Sequence, residues 1–162
     1  MAEVFNGRYM AKTDEPFVVF LIGMRINKLW AVHKWLPVAR AMVPMLMTLF
    51  EHPEKGFLGG YTTLGSGGPV MVQYWRSFED LERFARSPSD PHQPFWRRFN
   101  QAIRGDGSVG IWHETYRVEP GNFEAFYSGM PRFGLGSVME HVPVGNGRES
   151  ARERLREPAK TA

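Results

Sequence analysis

The segment from Phe17 to Arg25 reads Phe-Val-Val-Phe-Leu-Ile-Gly-Met-Arg and is apolar at almost every position. Side chains on a β-strand alternate between two faces, so a strand of this composition carries apolar groups on both of them. Such a strand has to be covered on each side. Helices of the same chain can cover one face, and a second sheet, from this chain or from a partner, has to cover the other.

Five more elements follow this strand in the order helix, strand, strand, helix, strand. We predict the first helix at Lys28–Phe50, with Asn27 as N-cap and Pro37 and Pro44 as interruptions. Two strands at Phe57–Leu64 and Val70–Trp75 are expected to form a hairpin. The second helix is predicted to begin with a capping pattern at Ser77, with a break at Ser87–Pro91 and a second part at His92–Arg104, and the last strand is predicted at Ser108–Val118. This order predicts an α+β fold of the ferredoxin-like, split β-α-β type, with an antiparallel sheet and both helices on one face.

The face of the sheet that the helices leave open is also apolar, because both alternating sets of the strands Phe17–Arg25 and Val70–Trp75 are apolar. An exposed apolar face of that size is unfavourable in water. We therefore expect a homodimer formed through the sheet face, a dimeric α+β barrel, with a pocket between sheet and helices in each subunit. The barrel domain is expected over residues 1–144 with a polar lead-in up to Pro16, and the charged tail 145–162 is expected to be disordered or at most a frayed helix.

The predicted first helix carries an apolar stripe at helical spacing, formed by Leu36, Ala39, Val43, Leu46 and Phe50. Three methionines, Met42, Met45 and Met47, widen the apolar surface. Methionine is flexible and fills irregular gaps in cores, and it also lines adaptable apolar pockets. Both interpretations are open at this point.

The stretch from Val109 to Pro131 gathers an imidazole, a carboxylate, a phenol and an indole more closely than any other part of the chain. On a strand, Ile111, His113 and Thr115 point to one face, and Trp112, Glu114 and Tyr116 point to the other. If the face that carries His113 is buried, the ring has to be hydrogen-bonded, ligated or catalytic. A core histidine bonded to a backbone carbonyl is the alternative.

Composition excludes several classes of function. The 162 residues contain no cysteine, which excludes disulfides, thiolate metal sites and cysteine nucleophiles and fits a cytoplasmic protein. The net charge of +3 is not gathered in a basic stripe, so nucleic-acid binding is not expected. No two histidines stand three or four residues apart, no metal site is expected, and no apolar run is long enough to span a membrane.

The segment Val70–Trp75 followed by Arg76–Pro88 resembles the strand and helix signature of the antibiotic-biosynthesis-monooxygenase-like superfamily of dimeric α+β barrels. A longer pattern is similar to one branch of it, named for a monooxygenase-like protein of fumagillin biosynthesis. That pattern comprises Asn27, Trp35–Met42, His92–Trp96, Trp112–Tyr116, Glu124–Tyr127, Met130 and Pro131. The resemblance covers roughly residues 5 to 144.

The resemblance implies a cofactor-independent monooxygenase for a small lipophilic or aromatic, polyketide- or terpenoid-like substrate, which itself supplies the electrons to oxygen. Such a reaction needs an apolar pocket, a base and donors that hold an oxyanion. His113 is the candidate base, Glu114 is the group that orients its ring, and Tyr74, Trp75 and Tyr116 are candidate donors or stacking groups. The expected substrate-binding residues are Trp35, Met42, Leu46, Phe84, His92, Trp96, Trp112, Tyr127 and Met130.

Two alternatives stay open. The run His113–Tyr116 with the downstream Glu124 and Tyr127 also resembles the haem-dependent aldoxime dehydratases. Some relatives in the superfamily ligate haem through a histidine that follows the second helix, where His92 stands, so these resemblances imply haem ligation through His92 or His113. The other alternative is a dimer that binds a small molecule without catalysis, since aromatic residues are most often part of a core.

Overall fold

The structure is a computed structural model that describes residues 2–65, 67–87 and 106–155. The chain divides into two compact units, one made of residues 18–116 and the other of residues 1–17 and 117–162. The strands are β1 Phe5–Lys12, β2 Phe17–Ile26, β3 Phe57–Gly65, β4 Gly68–Trp75, β5 Val109–Val118, β6 Phe126–Met130 and β7 Glu140–Pro143. The helices are α1 Val32–Glu51, α2 Phe78–Arg86 and the one-turn α3 Ala151–Arg154, with short 3-10 turns at Pro53–Lys55 and Gly134–Ser137.

Four strands form one sheet in the order β3-β4-β2-β5, in which β4 pairs antiparallel with both of its neighbours. Strands β2 and β4 are central and β3 and β5 lie at the edges, and α1 connects β2 to β3 while α2 follows β4. This is the ferredoxin-like arrangement, so the predicted α+β fold is confirmed. The homodimer stays a prediction.

The main core lies on one face of this sheet. Trp75 at the end of β4 is fully buried, and its ring contacts Phe57 at 5.5 Å and Phe84 at 5.7 Å between centroids. Val18, Leu49, Met71 and Leu81 complete the cluster, which therefore joins the sheet to both helices.

Helix α1 begins later than predicted, and the expectation of Asn27 as its N-cap is wrong. The N-cap position is Ala31, without a side-chain hydrogen bond. Asn27 instead donates from Nδ2 to the carbonyl of Gly107 at 3.0 Å, and its Oδ1 accepts from Arg25 Nε at 3.1 Å. An amide side chain that bridges two segments is no longer free to cap a helix, and the residues that follow it form a loop.

The buried stripe of α1 also differs from the prediction. The buried residues are Val38, Met45 and Leu49, whereas Val43 is 55% exposed and Phe50 is 62% exposed. Pro37 and Pro44 both lie within the helix, and the carbonyl of Pro44 accepts a hydrogen bond from Thr48 Oγ1 at 3.0 Å. The spacing is helical as predicted, and Ala39 and Leu46 of the predicted stripe are partly buried beside the three most deeply buried residues.

Helix α2 begins where the capping pattern predicted, because Ser77 Oγ accepts a hydrogen bond from the amide of Asp80 at 3.1 Å. The Asp80 side chain is buried between Arg76 Nε at 2.8 Å and Arg83 Nη1 at 2.6 Å. Burial by itself would raise the pKa of Asp80, but these hydrogen bonds outweigh it and hold the pKa below its ordinary value. The second helical part predicted at 92–104 lies outside the described residues.

The other unit contains a three-stranded sheet in the order β6-β1-β7. Strand β1 lies in the segment expected to be a polar lead-in, and that expectation is wrong because Met10 and Ala11 are buried in this unit. The described part of the tail, residues 145–155, contains a one-turn helix, which is compatible with the expected frayed helix. There Ser150 caps the one-turn helix and Arg154 pairs with Glu124 at 2.6 Å.

His141 lies among aromatic rings in this second sheet. Its ring stacks on Tyr9 at 4.6 Å and meets Phe5 edge-on at 4.9 Å and Tyr127 at 5.5 Å. Both ring nitrogens are buried, and neither has a hydrogen-bond partner within the part of the chain that the structure describes. Burial lowers the pKa of His141, and the nearby charge of Arg132 lowers it further.

We expect His141→Phe to make the protein more resistant to acid. Because the pKa of His141 is lowered in the folded protein, the unfolded chain binds a proton at this residue at a pH where the folded chain does not. The free energy of unfolding of the wild type therefore falls as the pH drops below the ordinary histidine pKa of about 6.5. Phenylalanine has no such linkage and also removes two unpaired nitrogens, whose burial costs about 1 kcal/mol or more. Thermal unfolding followed from about pH 8 to about pH 5 should show a flatter curve for the variant. The exposed His33, replaced by glutamine, is the control, and equal slopes for wild type and His141→Phe would contradict this.

Candidate active site

A cavity of about 530 Å³ lies between the four-stranded sheet and the two helices, within the unit of residues 18–116. Most of its wall is apolar. The sheet contributes Phe20, Ile22, Met24, Met71, Trp75 and Ile111, and the helices contribute Val38, Met42, Met45, Leu46, Leu49, Leu81 and Phe84, among others. Water is poorly held by such a wall, so the cavity suits an apolar ligand.

Strand β5 contributes every second side chain to this wall, namely Ile111, His113 and Thr115. His113 is exposed, and its ring lies 5.7 Å from the ring of Phe20 on β2. It makes no hydrogen bond to any residue described in the structure, so its ring nitrogens are available to a ligand. An imidazole in that situation can take a proton from a bound molecule.

Strand β4 contributes Met71, Gln73 and Trp75 in the same alternating way. Gln73 is 6% exposed, and its Oε1 accepts a hydrogen bond from the indole Nε1 of Trp75 at 2.9 Å. Its Nε2 donates to the sulfur of Met71 at 3.3 Å. The wall therefore contains a buried amide held in place by its two neighbours on the same face of the strand.

One carboxylate also reaches the cavity wall. Glu82 on α2 lines it, but its Oε1 pairs with Arg86 Nη2 at 2.9 Å. The Glu82 carboxylate is already engaged in this ion pair, whereas the ring nitrogens of His113 are open to a ligand. Among the described titratable residues of the wall, His113 is thus the better candidate for proton removal.

Five of the residues predicted for the site line the cavity: Met42, Leu46, Trp75, Phe84 and His113. Tyr74 is buried but alternates with the cavity-lining residues of β4, so it lies on the opposite face of the sheet. Trp112 likewise lies on the opposite face of β5, against Gly23, where an added Cβ would come within 2.5 Å of the indole.

Glu114 and Tyr116 also lie on the face of β5 that does not line the cavity. The phenol of Tyr116 donates a hydrogen bond to Glu114 Oε2 at 2.6 Å, and this bond raises the pKa of the phenol. The expectation that Glu114 orients the ring of His113 is therefore wrong, because adjacent residues of a strand point to opposite faces.

The remaining predicted residues lie elsewhere. Trp35 donates from its indole to the carbonyl of Leu29 at 3.0 Å and does not belong to the cavity wall. Tyr127 and Met130 lie on β6 in the other unit, where the Tyr127 hydroxyl accepts a hydrogen bond from the amide of Gly136 at 2.9 Å. His92 and Trp96 lie outside the described residues.

Several cavity-lining residues were not singled out from the sequence, above all Phe20, Met24, Gln73 and Thr115. The signal was present in the alternation of the strands, since residues two positions from His113 or Trp75 share their face. Gln73 stands between Met71 and Trp75 on that face and carries the only side-chain amide among the described residues of the cavity wall.

Metal and membrane sites are not supported by the described part of the chain. Among residues 2–65, 67–87 and 106–155 no three histidine, aspartate or glutamate side chains are grouped so as to hold a metal ion. None of the described helices is long and apolar enough to cross a bilayer. Haem ligation through His92 or His113 stays a prediction.

Among known proteins, the chain is similar to Monooxygenase af470 of Aspergillus fumigatus, with 29% identity over 147 residues. The match covers 78% of this chain and 52% of that protein, so the chain spans about half the length of this curated relative.

Solved structures with similar folds include SnoaB, a cofactor-independent oxygenase from Streptomyces nogalater, at 14% identity and a TM-score of 0.41, covering 64% of this chain and 92% of that one. A dimeric ferredoxin-like protein from an uncultured marine organism matches at 16% identity and a TM-score of 0.38, covering 64% of this chain and 94% of that one. The fold assignment rests on the strand order and not on these likenesses.

The sequence from residue 17 to residue 135 matches the family described as Monooxygenase af470-like. This range contains the whole four-stranded sheet, both cavity-lining helices and every residue of the cavity wall. The chain belongs to the Monooxygenase af470-like family.

Proposed function

We propose that the protein oxygenates a small lipophilic or aromatic, polyketide- or terpenoid-like molecule in this cavity without a cofactor, with His113 as the base. The observation that carries the proposal is an imidazole, unbonded within the described chain and the only one among the described wall residues, on the wall of a mostly apolar cavity of about 530 Å³. Membership of a monooxygenase-like family supports the same class of reaction.

The chemistry balances without an external reductant if the substrate has an acidic CH₂ group. His113 takes one proton, and the resulting carbanion passes electrons to dioxygen and forms a carbon–oxygen bond. The peroxide that results is protonated and then eliminates water, so the CH₂ becomes a carbonyl. One oxygen atom enters the product and the other leaves as water, and the substrate supplies all four electrons.

The apolar wall has two tasks in this reaction. Phe20, whose ring packs beside His113, offers a flat surface for a ring system next to the base. The side chains of Met42, Leu46 and Phe84 exclude water from the other side, which protects a carbanion from simple reprotonation.

Anthrone, a tricyclic ketone with an acidic CH₂ group, is a suitable probe of this activity. We expect protein-dependent oxygen uptake at an oxygen electrode, equal in moles to the anthraquinone formed, above the spontaneous rate in buffer. Anthraquinone itself, which has no CH₂ group, should give no uptake. Uptake at the buffer rate over a wide range of protein concentration would count against the proposal.

An absorption spectrum of protein purified from haem-supplemented cells tests the haem alternative. A stoichiometric Soret band that is lost in His113→Ala would favour haem chemistry over the cofactor-free reaction. A colourless sample that oxidises anthrone would support the cofactor-free reaction.

We also propose that two copies pair through the face of the sheet opposite the cavity. Leu21, Val72 and Tyr61 lie side by side across three strands of that face, and each is only half-buried within one chain. Sedimentation equilibrium should give a dimer at micromolar concentration, and Val72→Glu should weaken it at least tenfold by placing a charge in the contact. Met47→Glu, at an exposed position of α1 that does not line the cavity, is the control. A monomeric wild type would contradict the pairing.

A further inference from the structure

We propose that Gln73 binds an acceptor oxygen of the ligand, so that the substrate is a ring system carrying a carbonyl or hydroxyl group as well as the carbon that reacts at His113. This rests on the proposed function only for the role of His113. Gln73 would be a specificity-determining residue in the sheet wall of the cavity.

The orientation of the Gln73 amide is fixed by its neighbour. The indole N–H of Trp75 can only donate, and it lies 2.9 Å from Gln73 Oε1. Turning the amide over would place an NH₂ group against that N–H and lose the bond. Gln73 therefore presents its NH₂ group, and not its oxygen, to whatever else lies beside it.

That NH₂ group has two N–H donors and a poor partner. Its described hydrogen bond goes to the sulfur of Met71 at 3.3 Å, and a thioether is a weak acceptor. Gln73 is 6% exposed, and the rest of the nearby wall is apolar. Buried donors are normally paired with oxygen, so a ligand oxygen is the partner that this amide is placed to receive.

The register of the sheet allows one ligand to reach both Gln73 and His113. Phe20 on β2 pairs with Gln73 on β4, and the ring of Phe20 packs against His113 on β5. Strands β4 and β5 both flank β2, so Gln73 and His113 are separated by two strand spacings, at least about 10 Å. A hydrogen bond at one end and a proton-transfer contact at the other each take about 3 Å, which leaves at least about 4 Å between the ligand oxygen and the reacting carbon. An oxygen on one side of a fused ring system lies this far or farther from carbons on the opposite side of the system.

Binding of fluorenone and fluorene tests the inference without turnover. The two molecules share a flat tricyclic frame and differ in a carbonyl in place of a CH₂ group. A cavity that offers no hydrogen-bond donor should bind fluorene more tightly, because the fluorenone carbonyl gives up its hydrogen bonds to water when it enters the cavity. We expect equilibrium dialysis of the wild-type protein to show at least tenfold tighter binding of fluorenone.

The variants decide the role of Gln73. In Gln73→Leu the preference for fluorenone should vanish or reverse. The control is Thr62→Val, which also removes a polar group from the cavity wall and keeps the shape of the side chain, and it should keep the preference. Gln73→Met keeps the length of the side chain without an N–H to donate, and it serves if the leucine variant does not fold. Equal affinities in the wild type, or an unchanged preference in Gln73→Leu, would overturn the inference. Failure of anthrone oxidation would count against the proposed function and leave the fluorenone preference intact.

Discussion

Replacing His113 by alanine should lower kcat for anthrone oxidation by about 100- to 10,000-fold, the usual contribution of a positioned general base. Binding should change little, because the apolar wall that holds the ring system is unaltered. Measurement by oxygen uptake under saturating anthrone separates the two effects, since a lost base lowers kcat and not affinity.

The opposite face of β5 supplies matched controls for this prediction. Glu114→Gln and Tyr116→Phe alter polar groups one and three positions away, but their side chains do not line the cavity. Both variants should keep kcat within about twofold of the wild type. Added imidazole should partly restore the alanine variant. Full turnover by His113→Ala, or an equal loss in Glu114→Gln, would show that the base lies elsewhere.

Replacing Trp75 by alanine should lower the free energy of unfolding by about 3–5 kcal/mol, as expected for removing a large buried aromatic side chain. Trp75 is fully buried between Phe57 and Phe84, so the variant loses its contacts with both the hairpin and α2. Its indole also holds the oxygen of Gln73, which would be left without that partner. Equilibrium unfolding in urea is the measurement.

Trp30 is the control for this second prediction. It has the same side chain but is 80% exposed, so Trp30→Ala should change the free energy of unfolding by no more than about 0.5 kcal/mol. Comparable losses in both variants would mean that Trp75 does not anchor the core. A loss under about 1 kcal/mol in Trp75→Ala would mean that the cavity wall closes around the missing ring.

The sheet could be predicted from the sequence because its signals are local. Strand β2 is apolar at almost every position, β4 is mostly apolar on both faces, and Ser77 stands at the position of a helix cap. Strand β1 could not be predicted in the same way. It is a polar-looking segment whose pairing with β6 and β7 joins residues more than a hundred positions apart, and no local pattern reports such pairing.

The site was harder to predict, for a related reason. Resemblance in residue type suggested that His113, Glu114 and Tyr116 act together, but the strand sends neighbouring side chains to opposite faces. The residues that do share the cavity with His113 come from other strands and helices, such as Gln73 and Met45. Which of them meet depends on sheet register and on the rotation of α1, and both are set by tertiary packing.

The most direct test is oxidation of anthrone by haem-free and metal-free protein under isotopically labelled dioxygen, with the anthraquinone examined by mass spectrometry. The proposed reaction predicts one labelled oxygen atom at the former CH₂ carbon, formed at a rate proportional to protein and strongly reduced in His113→Ala. Label drawn from water, or labelled product formed no faster than in buffer, would contradict an oxygenase reaction in this cavity.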